Sequence, residues 1–185
     1  MPNDILESVK DFNTITIFRH VFADMDAIGS QFGLKYYLES AYPNKKIYCL
    51  GNDCPVSQRN NVHMDVVDDE VVASSLAIVL DTSNAARIDD DRYQLAKKSI
   101  RIDHHVQVET ICDEEWIDDK ASATCELLAL YLQEKKANIP LQSSLMLYLG
   151  LTADNIRFTT NNVRPATFDA AKYLFEQEIG RASCR

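Results

Sequence analysis

Residues 75–80, with the sequence S-L-A-I-V-L, limit most strongly what this chain can fold into. After the leading serine every residue is apolar, and the run has the length of one β-strand. A strand without alternating polar positions is covered on both faces, as in a parallel sheet that carries helices on either side. We therefore expect this run to lie inside an α/β domain.

Segments of both kinds flank this run. We predict strands at residues 14–18, 46–50 and 99–102, and helices at residues 27–42, 85–98, 124–136, 141–153 and 166–178. The polar stretch 54–69 supports no assignment. Strands that alternate with helices indicate βαβ units, so the predicted fold is α/β, a doubly wound and mainly parallel sheet flanked by helices.

The last seven residues, 179–185 (I-G-R-A-S-C-R), break the amphipathic pattern of the last predicted helix. They are also what one reading frame of a common sequencing adapter encodes. We therefore expect one catalytic domain at residues 1–178 followed by a non-native tail, and the alternative is a native C-terminus.

The chain is acidic, with 19 Lys and Arg against 28 Asp and Glu and a formal charge of −9. It lacks the broad basic face that holds nucleic acid through its phosphates, so a phosphate substrate needs a metal ion or a further part of the protein.

No apolar run reaches the length of a membrane span, and the N-terminus has no apolar signal core. The five cysteines lack metal-site spacing. We expect a cytoplasmic protein with free thiols and no membrane partner.

Acidic and histidine side chains follow the predicted strands at the points where the strands end. They are His20, Asp24, Asp26, Asp81, Asp103, His104 and His105, and a further aspartate, Asp154, ends a predicted helix. Ligands of such sheets bind beyond the carboxyl ends of the strands, which meet at one edge. The sequence therefore predicts that these side chains converge.

Several carboxylates that lie close together raise one another's pKa unless a cation compensates their charge. Asp with His in an open, oxygen-rich site favours Mn²⁺ or a similar ion. Two such ions can clamp the attacking and the leaving oxygen of a phosphoryl group, which indicates phosphoester hydrolysis.

Each of these residues also has a simpler interpretation. Asp81 alone could be a turn or cap residue, and Asp24 or Asp26 could cap the helix that begins near Ala27. Gly29 could be a position of close helix packing. The joint occurrence of acidic and histidine residues at successive strand ends favours the metal site over these separate explanations.

At these positions the sequence resembles the DHH phosphoesterase family, named for the Asp-His-His found here at residues 103–105. Residues 20–30 (H-V-F-A-D-M-D-A-I-G-S) are similar to the family motif H-x-x-P-D-G-D-A-I-G-S. The segments 80–84 (L-D-T-S-N) and 152–158 (T-A-D-N-I-R-F) resemble two further motifs. The segment 121–126 (A-S-A-T-C-E) is similar to the branch of nanoRNases and pAp phosphatases.

The resemblance implies two manganese ions per chain and assigns their ligands. One ion is held by His20 and Asp24, the second by Asp26, His104 and Asp154, and Asp81 bridges the two. Asp103 and His105 are implied catalytic residues. Asp103 would orient the adjacent histidines, and His105 would hydrogen-bond a phosphate oxygen or protonate the leaving group.

Ser30 and Arg157 are the implied substrate-binding residues, although a surface salt bridge is the alternative for Arg157. Two departures from the family pattern bear on the backbone. Met25 stands where the family has a glycine, so a left-handed backbone there would be strained. Asn155 and Ile156 replace Thr-Gly, so we expect a different turn beside Asp154.

The implied function is a manganese-dependent phosphoesterase that hydrolyses short oligoribonucleotides (nanoRNA) to mononucleotides and dephosphorylates pAp, through a hydroxide activated by two metal ions. Family members usually carry a C-terminal DHHA1-type domain, which we expect this chain to lack, and a homodimer of the full-length parent is left open. One alternative is a phosphodiesterase acting on cyclic dinucleotides or pApA. The others are a truncated, non-catalytic nucleotide-binding module and an α/β regulatory domain.

Overall fold

The computed structural model describes residues 4–179, the last two by their backbone alone. The expected tail, residues 179–185, therefore lies outside the described residues apart from the backbone of Ile179. Five strands are present in this part: β1 (Thr14–Phe18), β2 (Lys46–Cys49), β3 (Leu76–Leu80), β4 (Lys98–Asp103) and β5 (Glu114–Ile117). The helices there are α1 (Ile5–Lys10), α2 (Met25–Ala41), α3 (Pro55–Arg59), α4 (Asp69–Ala73), α5 (Thr124–Glu134), α6 (Leu141–Asp154) and α7 (Pro165–Leu174), which a π-helical turn (Phe175–Ile179) extends.

The five strands form one parallel sheet in the order β2-β1-β3-β4-β5. The predicted α/β fold with a parallel sheet is thereby confirmed. The strand order reverses beside β1, where Ile17 pairs with Cys49 of β2 on one side and with Ile78 of β3 on the other. Ligands of such sheets bind in the crevice beyond the carboxyl ends of the strands at this reversal, which here lies between β1 and β3.

The two faces of the sheet are covered unequally. The larger core lies between the sheet and helices α2, α5 and α6, and it includes Ile17, Ile78 and Leu147. A smaller cluster on the other face contains Phe18 and Val79. All five residues of β3 are buried, as the continuous apolar run predicts.

Gly29 lets α2 and α6 pack closely against each other. A Cβ atom at this position would lie 2.5 Å from the carbonyl oxygen of Met146 and 3.1 Å from the Cα of Gly150, both backbone atoms of α6. Close packing is therefore the correct interpretation of this glycine. The contact fixes α6 against α2, and the two helices carry Asp154 and Asp26 at their ends.

The helix predicted at residues 85–98 is wrong. The segment forms two short 3₁₀ turns (Ala85–Arg87 and Asp91–Leu95) before β4 begins at Lys98. Asp89 accepts hydrogen bonds from Asn52, and Asp90 accepts one from the backbone of Arg92. These hydrogen bonds are not ones that an α-helix would allow. They explain why the segment forms two 3₁₀ turns although its apolar residues have helical periodicity.

Four shorter elements escaped the sequence analysis: α1, α3, α4 and β5. The edge strand β5 begins with two glutamates and is only half-buried, so it lacks a continuous apolar run. The unassigned polar stretch contains α3 and leads into α4.

Within the described residues, no helix combines the length and the apolar composition that a bilayer crossing requires. Cys49, Cys54, Cys112 and Cys125 are free thiols, as expected.

Met25 does not have the strained backbone that its replacement of a glycine would cause. It is the first residue of α2. The left-handed conformation falls instead on Phe22, at φ +53°. The loop between β1 and α2 therefore carries its strain three residues before the position that the family pattern suggests.

Replacing Gly29 by Ala should lower the free energy of unfolding by about 1–3 kcal/mol, because the added methyl group meets backbone atoms that cannot move separately. Urea denaturation monitored by circular dichroism measures this change. Gly33→Ala is the matched control: its Cβ would lie 2.6 Å from the Leu147 side chain, which can adjust its rotamer. An equal or smaller loss for Gly29→Ala would contradict the packing argument.

Candidate metal centre

His20 and Asp24 lie in the loop between β1 and α2. The Nδ1 atom of His20 donates to the carbonyl oxygen of Val21 at 2.6 Å, which leaves Nε2 free as a ligand. Asp24 caps α2, since its Oδ1 accepts from the backbone N–H groups of Asp26 and Ala27 at 3.0 Å. Its other oxygen lies 3.8 Å from His20 Nε2. The capping interpretation of Asp24 is therefore correct, and it leaves one carboxylate oxygen for a cation.

Asp26 is buried at the N-terminus of α5. Its two carboxylate oxygens accept hydrogen bonds from the backbone N–H groups of Thr124 at 2.6 Å and Cys125 at 2.9 Å. The partial positive charge of a helix N-terminus favours an anion at this point. Burial nevertheless raises the pKa of Asp26 well above its ordinary value, and the nearby charge of Asp81 adds to this effect.

Asp81 lies between two histidines. Its Oδ2 is 3.4 Å from His20 Nε2, its Oδ1 is 3.4 Å from His104 Nε2, and the hydroxyl group of Thr124 donates to Oδ1 at 3.1 Å. Burial acts to raise the pKa of Asp81, but hydrogen bonds and positive charge from His104 and His20 outweigh it and hold this pKa below its ordinary value. Asp81 also has a left-handed backbone, at φ +55°. This conformation is strained for a residue with a side chain, although aspartate tolerates it better than most.

His104 is surrounded by carboxylates. Its Nε2 atom lies 3.4 Å from Asp154 Oδ2 and 3.8 Å from Asp26 Oδ2, in addition to its contact with Asp81. Burial acts to lower the pKa of His104, but these negative charges raise it to about 10. The pKa of Asp154 is raised by burial and by the charges of neighbouring aspartates.

The candidate ligands form overlapping groups. His20, Asp24 and Asp81 offer ligand atoms within 4.8 Å of one another, and Asp26, His104 and Asp154 do the same. Asp81, His104 and His105 form a third such group, which links the other two. Four carboxylates carry more negative charge than two protonated histidines can balance. A divalent cation in each group would supply the missing charge, and the mixed oxygen and nitrogen donors suit such ions. The structure thus brings all six predicted ligands together, and their role as ligands stays a prediction.

Asp103 holds His105 rather than both histidines of the motif. His105 donates to Asp103 Oδ1 from its ring Nδ1 at 2.7 Å and from its backbone N–H at 3.2 Å. The His104 Nδ1 atom instead lies 3.4 Å from the carbonyl oxygen of Ala121. The His105 side chain is 39% exposed, so its free Nε2 can meet a ligand.

The two predicted substrate-binding residues lie in very different surroundings. Ser30 is fully buried, and its hydroxyl group donates to the carbonyl oxygen of Ala27 in the same helix, so the structure does not bring it to an open site. Arg157 is exposed. It occupies a turn in which Ile156, Arg157 and Phe158 all have positive φ, from 48° to 67°. The turn beside Asp154 is thus strained at three successive residues, and its difference from the family's turn stays a prediction.

Two residues near the site were missed by the sequence analysis. Thr124 lies in the quoted segment 121–126, which was the available signal. Arg101 gave no signal, because an arginine in a strand is ordinarily a surface residue. Its guanidinium group is fully buried, with its nitrogens 3.8 Å from Asp103 Oδ2 and 3.6 Å from Glu115 Oε1. It therefore compensates the carboxylate that holds His105.

Comparison with known proteins identifies relatives along most of the chain. Residues 14–152 match the sequence profile described as DHH family, N-terminal domain. The bifunctional oligoribonuclease and PAP phosphatase NrnA of Bacillus subtilis is 35% identical over 179 residues, covering 95% of this chain and 57% of that protein. An uncharacterized protein of Mycoplasma genitalium is 34% identical over 178 residues, covering 95% of this chain and 55% of that protein. The chain thus spans somewhat more than half the length of these relatives.

A solved structure shares the fold. The crystal structure of an exopolyphosphatase-related protein from Bacteroides fragilis matches 97% of this chain and 57% of that chain, with a TM-score of 0.82. At 23% sequence identity this likeness concerns the backbone arrangement alone.

Replacing Arg101 by Met should lower the free energy of unfolding by about 3–5 kcal/mol, because it leaves the buried Asp103 carboxylate uncompensated. Adding Asp103→Asn should recover part of this loss, and urea denaturation measures both changes. Arg92→Met is the control: this arginine pairs with Asp69 and Asp90 near the surface, so its loss should cost about 1 kcal/mol or less. Equal losses for the two arginines would contradict the buried role of Arg101.

A divalent cation should stabilise the folded protein through the six clustered ligands. Mn²⁺ at 100 times its dissociation constant should raise the free energy of unfolding by about 2.7 kcal/mol for each ion bound, seen as a higher melting temperature. Asp81→Asn should remove most of this shift, because Asp81 belongs to the first ligand group and lies 3.4 Å from His104 of the second. Asp68→Asn, an exposed aspartate whose side chain makes no capping hydrogen bond, should keep the full shift. An equal shift in both variants would place the cation elsewhere.

Proposed function

Because the chain belongs to the DHH family, we propose that it is a manganese-dependent phosphoesterase acting on short oligoribonucleotides and on pAp (adenosine 3′,5′-bisphosphate). The products would be mononucleotides from the oligonucleotides, and AMP and phosphate from pAp. One observation carries the proposal: six carboxylate and imidazole ligands from four separate segments converge where the strand order reverses. The relative from Bacillus subtilis, named as an oligoribonuclease and PAP phosphatase, supports the choice of substrates.

The ligand sets fit a pair of divalent cations. His20 and Asp24 would hold one ion, Asp26, His104 and Asp154 the other, and Asp81 would contact both. When bound, such ions withdraw electron density from phosphate oxygens and make water a stronger nucleophile at neutral pH. They would also supply the positive charge that an anionic substrate needs in a chain of formal charge −9.

The residues around the ligands would keep them in place for this chemistry. The Val21 carbonyl oxygen fixes the ring of His20, and the N-terminus of α5 fixes both oxygens of Asp26. The Thr124 hydroxyl group orients Asp81. Such outer contacts set the direction of a ligand atom and preserve the geometry between turnovers.

His105 is placed to move a proton. Its Nδ1–H group donates to Asp103, so a second proton is carried on Nε2. The protonated Nε2 can donate a hydrogen bond to a phosphate oxygen or give its proton to the departing oxygen. Arg101 acts behind this pair by compensating the charge of Asp103. Arg157 is a second candidate for contact with phosphate, since its guanidinium group is exposed next to Asp154.

The assignment is tested by turnover of pAp and of a short RNA by the wild-type chain with Mn²⁺ and with a chelator. Metal-dependent release of phosphate or mononucleotide is expected, and Asp81→Asn should abolish it while Asp68→Asn retains it. Faster turnover of cyclic di-AMP or pApA would instead identify a dinucleotide phosphodiesterase. Nucleotide binding without any turnover would identify a non-catalytic module.

Replacing His105 by Ala should lower kcat for pAp by about 10²–10⁴, the usual contribution of a positioned proton donor. The stabilisation of the folded state by Mn²⁺ should remain, because His105 is outside the six proposed ligands. Steady-state kinetics and thermal unfolding with Mn²⁺ measure the two effects. Loss of the metal-induced shift together with activity would make His105 a metal ligand, which its position near Asp81 Oδ1, at 3.7 Å, also allows.

A further inference from the structure

Phe22 is an exposed aromatic residue with a strained backbone. Its side chain is 95% exposed, and its φ angle of +53° is uncommon for a bulky residue. Neither feature contributes to the core, and strain of this kind is concentrated at sites that bind ligands. Phe22 also lies in the short segment between His20 and Asp24, two of the proposed metal ligands. The loop therefore holds an aromatic ring in water directly beside the candidate centre.

Phe22 forms part of the wall of a cavity of about 650 Å³. The other lining residues come from the ends of β1 and β2 and from the segments that follow them: Arg19, Val21, Ala23, Asn52, Asp53, Cys54, Pro55, Val56 and Asp89. Three of them, Arg19, Val21 and Ala23, lie next to His20 or Asp24 in sequence. The cavity and the candidate metal centre therefore share one loop.

Arg19 holds the wall of the cavity in place. This residue is 1% exposed, and its terminal nitrogens are bound to the carbonyl oxygens of His20 and Asn52 and to Asp89. These bonds join the segments that follow β1 and β2, which both line the cavity. The position of Phe22 relative to the opposite wall is therefore set by a buried cation.

We propose that this cavity binds the base of the nucleotide whose phosphate lies at the candidate metal centre, with the ring of Phe22 stacked on the base. The proposal rests on the phosphoesterase function proposed above. A nucleobase has a flat apolar face that suits Phe22, Val56 and Pro55. Because every base offers such a face, stacking gives affinity with little choice among bases.

Equilibrium binding of AMP and of ribose 5-phosphate, each with Mn²⁺, tests the pocket without requiring turnover. The wild-type protein should bind AMP at least tenfold more tightly than ribose 5-phosphate, which has the sugar and phosphate but no base. Phe22→Asn should weaken AMP binding by about tenfold and leave ribose 5-phosphate binding unchanged, the range expected for loss of one stacking contact. Asparagine readily adopts positive φ, so this variant removes the ring without adding backbone strain.

Two further variants separate the ring from general effects. Phe22→Tyr keeps an aromatic face and should bind AMP as the wild type does. Val66→Ala removes an equally exposed apolar side chain, 96% exposed, from a residue that does not line the cavity, and should also leave AMP binding unchanged. Equal AMP affinity in Phe22→Asn and the wild type would overturn the proposal, as would equal weakening of AMP and ribose 5-phosphate.

Kinetics on the same proteins distinguish this proposal from the one on which it rests. Metal-dependent turnover of pAp with no change in KM for Phe22→Asn would overturn the base pocket and leave the phosphoesterase intact. Base-dependent binding of AMP that is lost in Phe22→Asn, in a protein without metal-dependent turnover, would support the pocket and contradict the phosphoesterase.

Discussion

Four carboxylates at one edge of the sheet are the constraint on which much of this structure depends. Asp26 and Asp81 are almost fully buried, and no arrangement of such groups is stable without positive charge nearby. The fold supplies part of that charge through His20, His104 and the N-terminus of α5. The pKa of His104 is raised for the same reason. The proton on its ring supplies positive charge to the carboxylates that a bound cation would otherwise supply.

This constraint explains features of the fold that packing alone does not. Helix α5 begins beside Asp26, and α6 ends with Asp154 3.4 Å from His104. The close contact of α6 with α2 at Gly29 therefore positions a proposed ligand as well as core residues. Asp81 has a left-handed backbone directly after a fully buried strand. The surrounding sheet can hold such a strained residue because β1 and β4 flank β3 on both sides.

The sequence predicted secondary structure best where a single requirement, such as burial on both faces, determined every residue of a segment. The all-apolar run predicted β3, because only burial on both faces accommodates it. It was least informative where a side chain's partner is distant in sequence or its exposure depends on the fold. Residues 85–98 have helical periodicity, but Asp89 binds Asn52 and Arg19, which are distant in sequence. Strand β5 is a half-buried edge strand with no apolar run. Ser30 belongs to a quoted motif, yet the rotation of α2 buries it.

The sequence by itself determined the fold class, the family and the set of acidic and histidine residues at the strand ends. Each of these depends on apolar periodicity or on motif residues and their spacing along the chain. Only the tertiary structure decided which of those residues meet. It placed Asp81 between two histidines, directed Asp103 to His105, and buried Arg101 behind that pair. It also left Phe22 exposed beside a cavity. These facts depend on distances of a few ångströms between segments far apart in the chain, which pattern and spacing in a single sequence do not encode.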